Sequence, residues 1–456
     1  MSKAYIQVSA ENPRYFATSA GEPFIPIGPN LCFPRTVTEP TAVVEYYRRL
    51  VGALAAAGGN YIRIWLSAPC FELETKAEGQ FEARQLQTIT EVVAIAEAAG
   101  VKIKFTLEHF RTMEPRTEAE QFPGVASFVK DVYHRSRGGS LNSIGEFLTS
   151  PVGERIFLHK LDCLAERFRD SAAVMAWELW NEVNCTGPMA HWGPWTERML
   201  PELKARFPHH LTVQSLGSFS ELGAHPQYDW LGRLPGNDIY QIHRYLDPGA
   251  GIDVCRGPLD ILCADAIREL RDRNAHTPLL LAEGGAVEAN HSGPSHLYAA
   301  DTSGMILHDV LFAPFFAGSA GCGQCWHWEK YIERQHLWWH FGRFAKAVAG
   351  IDPRAEGYQP FQRESRRLRL YGLRGRTHTL LWCRDKRNTW ESELSGGQAP
   401  ERLSGEQLDV RALCPDPVRE ASYYAPWTDT AGPLALTGTQ LELPAFERSL
   451  VLKLTT

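Results

Sequence analysis

Trp177-Glu178-Leu179-Trp180-Asn181-Glu182 drives apolar residues into a carboxylate just where the run stops, and Leu279-Leu280-Leu281-Ala282-Glu283-Gly284-Gly285 does the same further along. An apolar strand with a functional side chain at its carboxyl end is what a parallel barrel presents at its active face. Outward from these two segments, strand-like runs alternate with longer amphipathic stretches from Pro23 to about Gly350. The strands expected are Phe24–Gly28, Tyr61–Trp65, Val101–Leu107, Val174–Trp180, Leu211–Ser215, Asp238–Ile242, Leu279–Ala282 and Gly321–Trp326. Helical patterns fall at 41–57, 84–99, 151–169, 195–206, 258–274, 300–314 and 337–349, and 110–150 reads as a long loop with helical pieces. No Gly-x-Gly-x-x-Gly fingerprint follows the first strand, so the repeat points to an α/β fold of the (β/α)8 (TIM) barrel type rather than a doubly wound sheet.

After Gly350 the pattern changes to short strands between turn-rich pieces: 368–373, 377–383, 418–424, 440–443 and 449–454. This reads as a small C-terminal all-β sandwich over 353–456, following a barrel domain over 1–352. The Gly/Pro/Ser-rich stretch 394–404 reads as a hairpin or loop.

The 456 residues carry a formal net charge of −6, and Lys and Arg are scattered without a long basic run, so no nucleic-acid footprint or polybasic membrane patch is present. Neither a secretory signal nor a window of about 18 apolar residues appears, which gives the expectation of a soluble, cytoplasmic protein without a membrane partner. The ten cysteines sit mostly in apolar runs and are expected to be free thiols. Cys322-Gly-Gln-Cys325 has neither a second pair nor a histidine at zinc spacing, and reads as small residues on a barrel strand. No metal site and no cofactor is expected, and nothing in the sequence fixes an oligomeric state.

Two carboxyl groups flanking one anomeric carbon, one to donate a proton and one to attack or to activate water, are what cleavage of a glycosidic bond requires. Glu182 and Glu283 meet that demand from strands four and seven, which face each other across a barrel mouth.

On these residues the sequence resembles clan A of the glycoside hydrolases, and family 5, the cellulase and mannanase family, most closely. There an acid/base glutamate follows an asparagine at the end of strand four and the nucleophile ends strand seven; Asn181-Glu182 and Glu283 stand at those places. The resemblance implies a retaining mechanism, with Glu283 as nucleophile, Glu182 as acid/base and a carboxyl separation near 5 Å. It also implies that Arg63, in Asn60-Tyr-Ile-Arg63, keeps the nucleophile ionised and that Tyr245, in His243-Arg-Tyr245, hydrogen-bonds it. His243 would lie near the acid/base, Asn181 would hold the sugar 2-hydroxyl, and Trp326 would form a platform under the sugar. His109, after strand three, stands close to a sugar-binding position, and Glu108 beside it departs from the family pattern.

Glu178 shares a strand face with Glu182 but lies deeper, and is expected to be a paired interior carboxylate. Glu329 and Glu333 are expected to anchor loops. Among thirteen tryptophans, Trp328 and Trp192 are further candidates for sugar contact, and Trp338-Trp339 for packing against the sandwich. The function expected is a retaining β-glycosidase taking β-linked glucosyl or mannosyl units from small oligosaccharides or glycosides, exo-acting because the loops at 110–150 and 184–200 would close one end of the cleft. The alternatives are an endo-β-mannanase or endoglucanase, a transglycosylase using the same intermediate, and a non-catalytic carbohydrate-binding barrel.

Overall fold

The computed structural model describes residues 4–35, 37–114 and 128–456; part of the long stretch expected to cover the cleft, 115–127, lies outside the described residues. A parallel sheet of Tyr61–Trp65, Lys102–Glu108, Val174–Trp180 and Leu211–Val213 forms half of the barrel, and Tyr240–His243 pairs in parallel with Leu279–Glu283 on the other side. Between the two sheets Asp238 N–H donates to Thr212 O at 2.8 Å and Phe219 N–H to His243 O at 2.8 Å. The ring closes through two irregular segments: Asn30 bridges Arg63 and Cys325 bridges Gly284, while Asn30 N–H donates to Cys325 O at 3.1 Å.

Those irregular segments are the expected strands one and eight, and neither is a regular strand. Pro26 offers no N–H to a ladder. A Cβ on Gly28 would lie 1.7 Å from Tyr61 O, and one on Gly323 2.2 Å from Val310 O. The backbones pass too closely there for side chains, and a single bridge replaces each ladder. Phe24 instead joins a small antiparallel sheet of Ile6–Val8, Phe16–Thr18 and Pro23–Phe24, too short to announce itself in the sequence. Ile6, Tyr15 and Phe16 pack against Tyr61, Met175, Leu211, Ile239 and Leu280, so this sheet plugs the amino end of the barrel and leaves the carboxyl end as its open face.

The outer helices follow the periodicity: Pro40–Ala56, Ala83–Ala98, Pro151–Phe168, Met189–Arg206, Leu259–Arg273, Met305–Phe316 and Trp339–Ala347. The helix Pro151–Phe168 shows the local logic. Ser150 Oγ accepts from Gly153 N–H at 3.2 Å, proline occupies the first turn, and Ile156, Phe157, Leu161, Leu164 and Phe168 form the buried face. Ile144–Thr149 and His225–Leu231 are additional short helices. All ten cysteines are unpaired. Among the described residues no helix is long and apolar enough to cross a membrane.

Beyond the barrel, six antiparallel strands run in the order Gln359–Glu364, Leu368–Arg374, His378–Asp385, Ser449–Thr455, Glu420–Ala425 and Thr430–Leu434. Period-two alternation divides their side chains. Tyr371, Leu373, Leu380, Trp382 and Val451 face the barrel, whereas Leu370, Leu381, Leu450 and Leu452 face Leu403, Leu408, Leu441 and Phe446 of short outer strands. The helix Met305–Phe316 lies between barrel and sheet with all twelve residues buried, which is why ten of them are apolar; the other two, His308 and Asp309, are met by Ser449 and Arg384. Two fork-to-fork ion pairs cross the seam: Arg369 to Asp260 at 2.6 and 2.8 Å, and Arg384 to Asp309 at 2.9 and 3.2 Å.

Candidate active site

The barrel's carboxyl face gathers the two strand-end glutamates. At the end of Val174–Trp180 the chain turns sharply: Glu182 adopts φ 53°, ψ 54°, a left-handed conformation that costs a non-glycine residue about 1–2 kcal/mol. The turn is held by Asn181 N–H donating to Glu108 O at 2.7 Å and by Glu182 N–H donating to Ser215 Oγ at 2.9 Å. It carries the Glu182 carboxylate toward Glu283, and one oxygen of each, together with a ring nitrogen of His243, lies within 4.8 Å of the others.

The two carboxylates have different partners. Glu283 Oε1 accepts from Arg63 Nη1, and Oε2 accepts from the Tyr245 hydroxyl at 2.6 Å. Arg63 is fully buried; it also donates to Glu178, to Asn181 Oδ1 at 2.9 Å and, through Nε, to Thr106 Oγ1 at 3.0 Å. Burial alone would weaken its charge, but the Glu178 and Glu283 carboxylates outweigh that and hold the guanidinium cationic. Glu178 is also 3.1 Å from Lys104 Nζ, an interior carboxylate paired with two cations. Burial, followed by the Glu283 charge, pushes the Tyr245 hydroxyl well above its usual value, so it stays a donor.

Glu182 Oε1 lies 2.9 Å from His243 Nδ1, and Oε2 accepts from Arg111 Nη2 at 2.6 Å. Burial pushes this carboxyl up, yet the His243 hydrogen bond and the Arg111 charge prevail and hold it at about 2. His243 Nδ1 is also 3.5 Å from Glu283 Oε2 and thus spans the pair. The Glu182–His243–Glu283 donor set has the spacing of a metal site, but guanidinium groups already occupy the outer oxygens of both carboxylates, and a divalent cation would meet two like charges.

Around this core, His109 is fully buried, with Ser67 Oγ 2.5 Å from its Nδ1 and the Trp65 ring 4.4 Å away. Burial, then the Arg111 charge, pushes its imidazole well below the usual value and keeps it neutral. Its Nε2, the Trp65 Nε1 and the His243 Nε2 are buried polar atoms without a partner among the described residues. Glu108 is spent on Lys160 at 2.6 Å. Trp326 is half-buried, with Trp65 at 4.9 Å and Trp328 edge-on at 5.4 Å. Trp328 is 1% exposed, and its indole N–H donates to Tyr46 Oη at 2.8 Å; it sits behind Trp326 rather than beside the cleft. Trp192, also fully buried, donates to Gly187 O at 3.1 Å and packs on Trp230. Glu329 accepts from Tyr46 Oη at 2.6 Å and Glu333 from Arg49, both tying loops down. Arg111, Ser215, Asn30 and Thr106 are site residues that strand-end reasoning passes over; they lie past a strand end or carry side chains with no pattern of their own.

The chain matches the family model described as Cellulase (glycosyl hydrolase family 5) over residues 47–307, more than half of its length. The chain belongs to glycosyl hydrolase family 5. A probable mannan endo-1,4-beta-mannosidase F of Aspergillus oryzae (strain ATCC 42149 / RIB 40) is 27% identical over 204 residues, 41% of this chain and 40% of that protein. Mannan endo-1,4-beta-mannosidase 7 of Arabidopsis thaliana is 24% identical over 232 residues, 45% of this chain and 51% of that protein. The family 5 chain thus spans about half or less of the length of these curated relatives. A solved glycoside hydrolase family 5 structure from Bacteroides vulgatus ATCC 8482 superposes with a TM-score of 0.62 at 12% identity, over 99% of this chain and 93% of that one. The barrel fold of this chain is shared with that solved family 5 structure.

Proposed function

We propose that the protein is a retaining β-glycosidase whose preferred glycone is a β-linked mannosyl unit. The observation that carries this is the carboxylate pair: one oxygen of each lies within 4.8 Å of the other, a close approach that suits the separation of about 5–5.5 Å in retaining enzymes better than the roughly 6.5–9.5 Å with which an inverting enzyme seats a water. Glu283, held by Arg63 and aimed by Tyr245, attacks the anomeric carbon and forms a glycosyl ester. Glu182 protonates the departing oxygen and then takes a proton from the incoming water. Asn181, fixed by Arg63, faces the sugar 2-hydroxyl, His109 and His243 offer ring nitrogens to other hydroxyls, and Trp326, braced by Trp328, underlies the ring. The mannosyl preference is supported by the curated relatives, which are named mannan endo-1,4-beta-mannosidases. Residues 1–352 form the catalytic barrel and 353–456 a β-sandwich domain.

Exo action is the first reading, because a polymer-binding groove needs exposed aromatic platforms. Among the described residues the exposed large hydrophobic side chains are Leu222 and Trp339, and Trp339 packs beside Trp427 in the C-terminal half. The names of the relatives favour endo action as the second reading. One experiment tests both: incubation with β-1,4-mannohexaose and with 4-nitrophenyl β-mannoside and β-glucoside, followed by chromatography and by NMR of the first-formed anomer. Mannose released stepwise with the β configuration is expected. Mixed oligosaccharides would establish endo action, and a first-formed α anomer or no turnover of any substrate would refute the proposal.

A further inference from the structure

Both oxygens of Glu182 are occupied, Oε1 by His243 Nδ1 and Oε2 by Arg111. A general acid must offer one of them, with a proton, to the glycosidic oxygen. His243 is fully buried and braced between both carboxylates, so Oε1 stays engaged. The Arg111 side chain is 31% exposed, which makes Oε2 the oxygen toward the mouth and places the guanidinium where the leaving group must pass. Arg111 spends one terminal nitrogen on Glu182; its Nε is buried with no hydrogen-bond partner among the described residues, and its plane stands 5.2 Å from the centre of the Phe128 ring. Stripping Glu182 from such a group leaves a partly buried cation without its counter-charge. A sugar hydroxyl does not replace the lost charge, whereas a carboxylate or phosphate does, with two parallel hydrogen bonds to the fork.

We propose that Arg111 is a binding site for an anionic group on the leaving-group side of the substrate, and that this group draws the guanidinium away from Glu182. The exchange frees Oε2 to take a proton from solvent. As the bond from Glu283 to the anomeric carbon forms and the glycosidic C–O bond breaks, that proton passes to the departing oxygen, which keeps the bonding electron pair. The inference rests on Glu182 being the acid/base, and it deepens that reading by naming the leaving-group class: glycosides whose aglycone or reducing-end unit carries an anion near the scissile oxygen.

The test uses aryl β-mannosides, or β-glucosides if only these are turned over, whose phenol carries –CH2COO⁻, –CH2PO3²⁻ or the uncharged –CH2CONH2 at the same position. The wild type is expected to prefer at least one anionic member over the amide by about tenfold or more in kcat/KM, and which one leads tells carboxylate from phosphate. Arg111→Gln is expected to bring that ratio below about twofold. A wild-type ratio near one, or a preference unchanged in Arg111→Gln, overturns the proposal. A second measurement needs no variant: 4-hydroxyphenylacetate should inhibit the wild type about tenfold more tightly than 4-hydroxyphenylacetamide, and equal inhibition also overturns it. Turnover of 2,4-dinitrophenyl glycosides separates the two levels: if the wild type cleaves neither, the glycosidase reading fails, and if it cleaves one without discriminating charge, only the Arg111 site fails.

Discussion

Two regions of this protein bury arginines against carboxylates, and they do so in opposite styles. At the seam between the barrel and the C-terminal sheet, Arg369 meets both oxygens of Asp260, and Arg384 both oxygens of Asp309; each fork closes on one acid. At the barrel mouth Arg63 divides its guanidinium among Glu178, Glu283 and Asn181, so each glutamate keeps an oxygen for another partner. The seam pairs are saturated and structural. The shared arginine ties its acids together while leaving each an oxygen for other partners, and polar atoms that are buried without a partner among the described residues, among them His109 Nε2 and Trp65 Nε1, collect beside it.

The contrast is broken most severely by Glu283→Gln, expected to cut kcat/KM by about 10⁴-fold or more with a folded protein remaining by circular dichroism; Glu283→Ala should be rescued by azide with formation of the α-glycosyl azide. Asp309→Ala acts on the other side: it strands Arg384 in the seam and should cost about 3–5 kcal/mol of stability by urea unfolding, with kcat unchanged well below the melting temperature. If Asp309→Ala instead leaves stability intact, the seam pairs are not what joins the two halves. Glu182→Ala should lower turnover of unactivated glycosides by about 10²–10⁴-fold and barely touch 2,4-dinitrophenyl glycosides.

The mildest expected effect is on pH dependence. Glu182 is held at about 2 against burial by His243 and Arg111, with His291 adding to the same direction. In Arg111→Gln the influences left to lower it come from His243 and His291, while the nearby Glu283 opposes them, so its pKa should rise by about one unit or more. The acid form then persists to higher pH, and the basic limb of the kcat/KM profile for an uncharged substrate should move upward. A limb that stays in place, or moves down, would show that Arg111 does not govern the proton on Glu182.

Much of this arrangement is legible in the sequence because a barrel converts strand ends into neighbours. Glu182, Glu283, His243 and Tyr245 each sit at or just beyond the end of an apolar run and Arg63 interrupts one, and the structure brings all five together. Segments one and eight read as ordinary strands in the sequence and are not, for a definite reason: Pro26, Gly28 and Gly323 allow backbones to touch without a ladder, and a strand pattern cannot distinguish that from ordinary pairing. Trp328 illustrates a different gap. Position along the chain brings it to the mouth, but only packing shows its indole N–H turned to Tyr46. Arg111 left no sequence signal, lying three residues beyond strand three at the start of a long irregular stretch. The paired state of Glu178 is accessible from period two, since the same face two pleat repeats deeper than Glu182 is the barrel interior.

The helix Met305–Phe316 ties the two halves into one unit. Cutting the chain at 352 would uncover one side of a helix whose residues other than His308 and Asp309 are apolar and would strand those two without Ser449 and Arg384, so the separated barrel would precipitate or recruit a second molecule through that stripe. Engineers wishing to work with the catalytic half should therefore keep the C-terminal sheet rather than trim it away.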